Sequence, residues 1–210
     1  MAFISKAEVE KQLADQINDI WDIVNGGYSD YVDNYDDRHR LLHNPTTKAS
    51  IIHDHQVARA ATYAFKNSIF GTRFLDYSKL KILLIGDKFA IRFKKLNLDK
   101  KSSNQPTKQV KDFLSQETLS GIPVTHNLEA GYVVTGDESD GISIYLTCPS
   151  GHKTNPHWHV ELLNGKIGEI EKDLLDYAEE LDINDDEAII QPKKPQADII
   201  EIDKARKNED

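Results

Sequence analysis

Four possible metal ligands lie close together in the sequence. They are one thiol and three imidazoles: Cys148, His152, His157 and His159. Thiolate and imidazole are the natural ligands of zinc, and a structural zinc site needs four such donors. Because His157 and His159 flank Trp158, they would face the same side of a strand. The spacing matches no established zinc module, so we predict no cofactor. The alternative is a zinc-containing binding module built on these four residues.

A second cluster of reactive side chains lies on a predicted helix. His55 and Arg59 are four residues apart and therefore share one helix face, and His39 lies upstream in a segment that can fold over it. A metal-independent ribonuclease needs a histidine for proton transfer and an arginine for the developing phosphate charge. His55, Arg59 and His39 are thus the candidate catalytic residues. The alternative is a solvated polar face, and whether the chain is an enzyme stays open.

The third feature is a run of cations that we call the basic strip. It consists of Arg92, Lys94, Lys95, Lys100 and Lys101. Arg92 and Lys94 alternate with Ile91 and Phe93, so we expect the apolar pair in the core and the cations in solvent. Such a strip can bind the phosphates of a nucleic acid by charge alone. The alternative is a surface that only keeps the protein soluble.

Helices must position the second of these features, the cluster of His55, Arg59 and His39. Ser5 begins a capping box, and apolar residues then recur at helical spacing as far as Gly26-Gly27, which is predicted to end the helix. Residues 28–45 are predicted to form an irregular connection. The second helix is predicted over about 48–67, where alanine, isoleucine and valine share one side.

Strands must position the other two clusters. Five are predicted from period-2 alternation, at 80–85, 89–96, 131–135, 142–148 and 158–163. A short helix capped by Thr107 separates the second strand from the third, and a last helix is predicted over 168–181. The order is ααββαβββα. It predicts an α+β fold with two N-terminal helices and a mostly antiparallel five-stranded sheet.

Charge is distributed unevenly along the 210 residues, whose net charge is −9. Residues 51–115 hold 13 basic and 5 acidic residues, whereas 170–210 hold 6 basic and 14 acidic ones. The acidic total argues against a protein that coats nucleic acid non-specifically, but it allows a local basic face. We predict one domain over 1–181 and a disordered acidic tail over 182–210.

The same sequence indicates a cytoplasmic protein with no membrane contact. No apolar run approaches the roughly 18–20 residues that cross a bilayer, and the N-terminus lacks the layout of a secretion signal. Cys148 is the only cysteine, so no internal disulfide can form.

Residues 91–135 resemble a stretch of uncharacterised proteins from phages and mobile elements. The resemblance rests on five pieces: Arg92-Phe93-Lys94-Lys95-Leu96, Ser103-Asn104, 107–116, Gly121-Ile122-Pro123 and 127–132. Such proteins are similar to the partner of a repressor-linked metallopeptidase in two-gene modules of toxin–antitoxin or phage-defence type. The resemblance implies a toxin-like or defence effector that a protein partner controls. The alternatives are a nucleic-acid-binding protein or ribonuclease, and the zinc-containing module.

Overall fold

The structure is a computed structural model that describes residues 3–77, 80–103, 107–119, 121–122, 126–135 and 141–168. The predicted tail, 182–210, lies outside these residues, and so does the predicted last helix apart from Gly168. Within the part described, no helix is both long enough and apolar enough to cross a membrane.

The described residues form five α-helices. Their bounds are Lys6–Gln12 (α1), Ile17–Asn34 (α2), Asp37–Leu42 (α3), Pro45–Lys66 (α4) and Lys108–Leu114 (α5), and a 3₁₀ turn at Ser68–Phe70 follows α4. The predicted caps of α1 and α5 are confirmed, because Ser5 Oγ accepts the Glu8 amide and Thr107 Oγ1 accepts the Val110 amide. The polar side chains thus begin each helix by satisfying an exposed backbone donor.

The prediction that Gly26-Gly27 ends the first helix is wrong. That helix is interrupted earlier, between α1 and α2, and α2 then continues through both glycines to Asn34. The glycines serve packing: a Cβ on Gly27 would lie 2.4 Å from Gln56 Cγ, and one on Gly26 would lie 2.4 Å from Arg59 Nη1. They allow α2 to lie close against α4. Most of the connection predicted over 28–45 is consequently helical.

The strands form one mixed sheet in chain order. Their bounds are Arg73–Tyr77 (β1), Leu80–Ile85 (β2), Phe89–Lys95 (β3), His126–Val134 (β4), Ile142–Cys148 (β5), Trp158–Leu163 (β6) and Lys166–Ile167 (β7). Neighbouring strands are antiparallel except β3 and β4, which are parallel because the segment with α5 crosses between them. The α+β class is confirmed. The predicted order ααββαβββα lacks two helices, β1 and β7, and β4 begins five residues before its predicted start.

Helices cover β3 from both sides of the sheet. Phe89, Ile91 and Phe93 belong to the apolar cluster that contains α2 and α4 residues, whereas Ala90 packs in a second cluster with residues of α5. The prediction that Ile91 and Phe93 are buried is confirmed. The prediction that Arg92 faces solvent is wrong, because α5 covers that side and leaves Arg92 only 2% exposed.

Candidate anion-binding cleft

The possible zinc ligands do not converge. Cys148 is fully buried, and burial raises the pKa of its thiol to about 12. His157 stacks on Phe3 with ring centroids 4.4 Å apart, and His159 meets the edge of Tyr145 at 6.1 Å. The fourth possible ligand, His152, is also among the described residues. Within these residues, no group of three or more His, Cys, Asp or Glu side chains is arranged to hold a metal ion. The structure therefore does not bring these four side chains together as one set of ligands.

The candidate catalytic residues are divided between two places. The Arg59 guanidinium donates to both carboxylate oxygens of Asp30 at 2.6 and 2.7 Å, and His55 Nδ1 lies 3.9 Å from the same carboxylate. Hydrogen bonding from Arg59 lowers the pKa of Asp30, and the same bond raises the pKa of Arg59. His39 instead pairs with Asp36 at 2.7 Å. Arg59 therefore ties α4 to α2, and His39 does not line the groove in which His55 and Arg59 lie.

The basic strip is also divided. Arg92 is buried, Lys94 is half-buried and has a pKa lowered by burial, and Lys95 is exposed. Lys100 and Lys101 lie beyond the strand and line a cleft of about 310 Å³. The cleft lies between the turn after β3, residues 97–103, and the β5–β6 connection, residues 149–156. Its charged and hydroxyl-bearing lining includes Lys100, Lys101, Lys153, His152, Ser102 and Glu129.

The turn at 97–103 is held by its own hydrogen bonds. The Asn97 amide donates to the Lys101 carbonyl at 2.9 Å, and the Lys101 amide donates to Asn97 Oδ1 at 2.9 Å. Leu96 and Ser102 pair across the base of the turn. Lys100 adopts a left-handed backbone, with φ 60°, which is uncommon outside glycine. These contacts fix the positions from which Lys100 and Lys101 project.

The β5–β6 connection is equally constrained. Ser150 Oγ donates to the Asn155 carbonyl at 2.6 Å and lies 3.1 Å from Thr154 Oγ1. The buried Gln116 side chain donates to the Pro149 carbonyl at 3.1 Å. Lys153 has φ 69°, so each of the two loops contributes one lysine in the left-handed region. Such conformations persist only where the surrounding structure holds them, and they cluster at binding sites.

Glu129 lines the floor of the cleft and belongs to a buried ion pair. Arg92 Nη1 donates to Glu129 Oε1 at 3.3 Å, and both side chains are 3% exposed. The Ser102 hydroxyl lies 2.9 and 2.8 Å from the two oxygens of that carboxylate. Thr147 Oγ1 donates to the Glu129 carbonyl at 3.3 Å and links β5 to the floor. Because the Arg92 and Glu129 charges compensate each other, the floor adds no net charge.

The lysines give the cleft its positive charge. The Lys101 ammonium lies 3.4 Å from Asp99, but that carboxylate is 63% exposed, and such a surface pair contributes little. The Lys100 ammonium lies 4.6 Å from the centre of the Tyr145 ring and donates to the Leu98 carbonyl. Lys153 completes a set of three cations around a neutral floor. The arrangement suits a ligand with negative charge.

Sequence reasoning found Lys100 and Lys101 but missed Lys153, Ser102 and Glu129. A signal for the floor was present in the sequence, because Glu129 stands between the apolar residues Leu128 and Ala130. A buried carboxylate needs a cationic partner. Arg92 stands between Ile91 and Phe93 in the same way, so it needs an anionic partner. Two opposite charges within apolar runs indicate a buried ion pair.

No protein-family model, curated protein or solved structure matches this chain.

Proposed function

We propose that the chain binds a phosphate-containing ligand in the cleft between residues 97–103 and 149–156. The observation that carries the proposal is the convergence of Lys100, Lys101 and Lys153 from two constrained loops onto one cleft. Lysine is a compact point charge that binds phosphate without demanding a fixed geometry. Because the Arg92–Glu129 pair beneath is already neutral, no carboxylate charge in the floor cancels the three cations.

The size of the cleft and the hydroxyl groups in its lining support the same conclusion. A volume of about 310 Å³ lies at the lower end of the range for small-molecule pockets, which is about 300–1,000 Å³. The cleft therefore holds one or a few phosphate groups rather than a large apolar molecule. Ser103 adds a hydroxyl donor beside the lysines. A ligand whose charge is concentrated on oxygen atoms satisfies both features.

Titration calorimetry with sodium tripolyphosphate tests this proposal. We expect binding at low salt that weakens as salt is added, because exposed charges are screened. Lys101→Gln and Lys153→Gln should each lower the affinity by about 10-fold or more, as the loss of a hydrogen bond to a charged group predicts. The matched control is Lys166→Gln on β7, which removes an exposed lysine outside the cleft. Equal affinities of all three variants and the wild type would contradict the proposal, and so would absence of binding at low salt.

We propose as a second candidate that the chain is a toxin-like or defence effector in a two-gene module, controlled by a protein partner. The end of α4 and the following 3₁₀ turn support this candidate. They expose Phe65, Ile69 and Phe70 at 83%, 84% and 74%. Exposed apolar side chains grouped in this way are typical of protein-interaction surfaces.

Co-expression with the product of the adjacent gene tests the second candidate. The wild-type chain should co-purify with that product and should slow growth only when expressed without it. Phe65→Ser combined with Ile69→Ser should abolish co-purification, whereas the control Leu163→Ser, at a residue 52% exposed on β6, should not. Co-purification that is unchanged by the double substitution would remove this surface as the contact. Growth that is unaffected by the chain alone would contradict the effector role.

A further inference from the structure

A row of aromatic rings borders the cleft on the sheet face that α2 and α4 do not cover. On β6, Trp158, Val160 and Leu162 pack with the core that contains residues of these helices, so the alternate residue His159 points to the other face. On β5, Ile144 and Leu146 are buried in that core, and Tyr145 between them points the same way as His159. The two rings meet edge to face, with centroids 6.1 Å apart. We call this surface the aromatic face.

Lys100 connects the aromatic face to the cleft. Its ammonium lies 4.6 Å from the centre of the Tyr145 ring, and the same residue lines the cleft. His159 is exposed, and its partial burial together with the charges of Lys100 and Lys6 lowers its pKa, which favours the neutral ring. The His159 ring therefore offers a stacking surface close to the cleft residue Lys100. The carboxylate of Glu161, hydrogen-bonded to Tyr145, reduces the positive charge at one side.

We infer that the ligand is a single-stranded nucleic acid whose backbone lies in the lysine cleft and whose neighbouring bases pack against Tyr145 and His159, one base to each ring. The inference rests on the proposed function and names its ligand class. Proteins that bind single strands combine a positively charged groove with aromatic side chains on which the bases stack. Because Lys100 belongs to both surfaces, consecutive nucleotides can reach both. A duplex keeps its bases inside the stack and offers this face only its backbone.

Fluorescence anisotropy with three labelled probes tests the inference. The probes are an oligothymidylate of about ten nucleotides, an abasic strand of the same length, and a duplex of the same length. The wild type should bind the oligothymidylate most tightly. Tyr145→Leu should lower that affinity by about 5-fold to 150-fold, the range for the loss of one base–aromatic stack. Tyr145→Phe should keep it, because the ring remains.

Two further variants separate stacking from charge and from misfolding. His159→Ala should weaken binding of the oligothymidylate while leaving the Lys100 contact with Tyr145 in place. Phe65→Leu, which removes an exposed aromatic ring on α4, should have no effect. Lys101→Gln should weaken binding of the oligothymidylate and the abasic strand alike. A circular dichroism spectrum and a melting temperature like those of the wild type would show that Tyr145→Leu is folded.

The outcomes distinguish this inference from the proposed function. Equal affinity for the oligothymidylate and the abasic strand would overturn the inference, and so would wild-type affinity in both Tyr145→Leu and His159→Ala. The proposed function would survive either result if tripolyphosphate binding still depended on Lys101. Failure to bind tripolyphosphate and all three probes at low salt would overturn both. Preference for the oligothymidylate that is lost in Tyr145→Leu and kept in Tyr145→Phe would confirm the inference.

Discussion

Removing the charge of Glu129 is expected to destabilise the protein strongly. Glu129→Gln keeps the size of the side chain and a carbonyl oxygen for the Ser102 hydroxyl, but it removes the negative charge 3.3 Å from the Arg92 guanidinium. Arg92 stays buried at 2% exposure against Phe113, where its charge is poorly solvated. Burial already holds the pKa of Arg92 below its ordinary value, and Glu129 opposes that shift.

The magnitude follows from the burial of both partners. Loss of one member of a buried ion pair typically costs about 3–5 kcal/mol, because the other charge stays in the interior. Replacing both charges can be nearly neutral. We therefore expect Glu129→Gln to lower the free energy of unfolding by about 3–5 kcal/mol. Arg92→Met combined with Glu129→Gln should recover most of that loss.

Urea unfolding followed by circular dichroism measures these differences. With a slope of about 1–3 kcal/mol per molar urea, the single substitution should lower the midpoint by more than about 1 M. Asp87→Asn is the control, because its pair with Arg73 is exposed and should contribute less than about 1 kcal/mol. A Glu129→Gln midpoint equal to that of the control would refute the buried-pair reasoning. A double variant no more stable than Glu129→Gln would also refute it.

Three other predictions concern packing, pH and thiol chemistry. Gly27→Ala should lower the free energy of unfolding by about 1–3 kcal/mol, because its Cβ would meet the Gln56 backbone amide nitrogen at 2.9 Å. Gly26→Ala should lower it less, because the new Cβ meets the flexible Arg59 guanidinium. Thermal melts of the two variants measure the difference. Burial lowers the pKa of His53 from 6.5 to about 4, so the imidazole binds a proton more readily in the unfolded chain than in the folded protein. The free energy of unfolding should therefore fall by up to about 3 kcal/mol as the pH falls from 6.5 to about 4. His53→Gln should remove that part of the pH dependence in urea titrations, and an unchanged slope would contradict it. The Cys148 thiol, with its pKa raised to about 12, should resist a disulfide reagent at about pH 8 in the native protein and react in denaturant; rapid native reaction would show that it is accessible.

Local sequence patterns correctly predicted the strands whose ends are set by residues adjacent in the sequence. The strands Ile142–Cys148 and Trp158–Leu163 were predicted with the observed bounds, because turn residues flank each apolar run. The extent of α2 was not predictable in this way. Gly26 and Gly27 would end an isolated helix, but contact with α4, about thirty residues later in the chain, makes them an interhelical packing site.

The site was predicted only in part for the same reason. The alternation around Arg92 indicated a half-buried strand, whereas α5 covers the second face and turns Arg92 into a core residue. Lys100 and Lys101 were grouped with Arg92 by sequence proximity, although the cleft joins them to Lys153, which is more than fifty residues away. Contacts between distant loops leave no periodicity that a single sequence can reveal.

An NMR titration of isotope-labelled protein with sodium tripolyphosphate locates phosphate binding most directly. We expect saturable shifts of backbone amides in two segments, 100–103 and 151–154, which line the cleft. Amides beside Asp30 and Arg59, in the groove between α2 and α4, should stay in place. In Lys153→Gln the same shifts should appear only at higher ligand concentration. Shifts confined to the α2–α4 groove, or no saturable shift at low salt, would contradict the claim that the cleft binds phosphate.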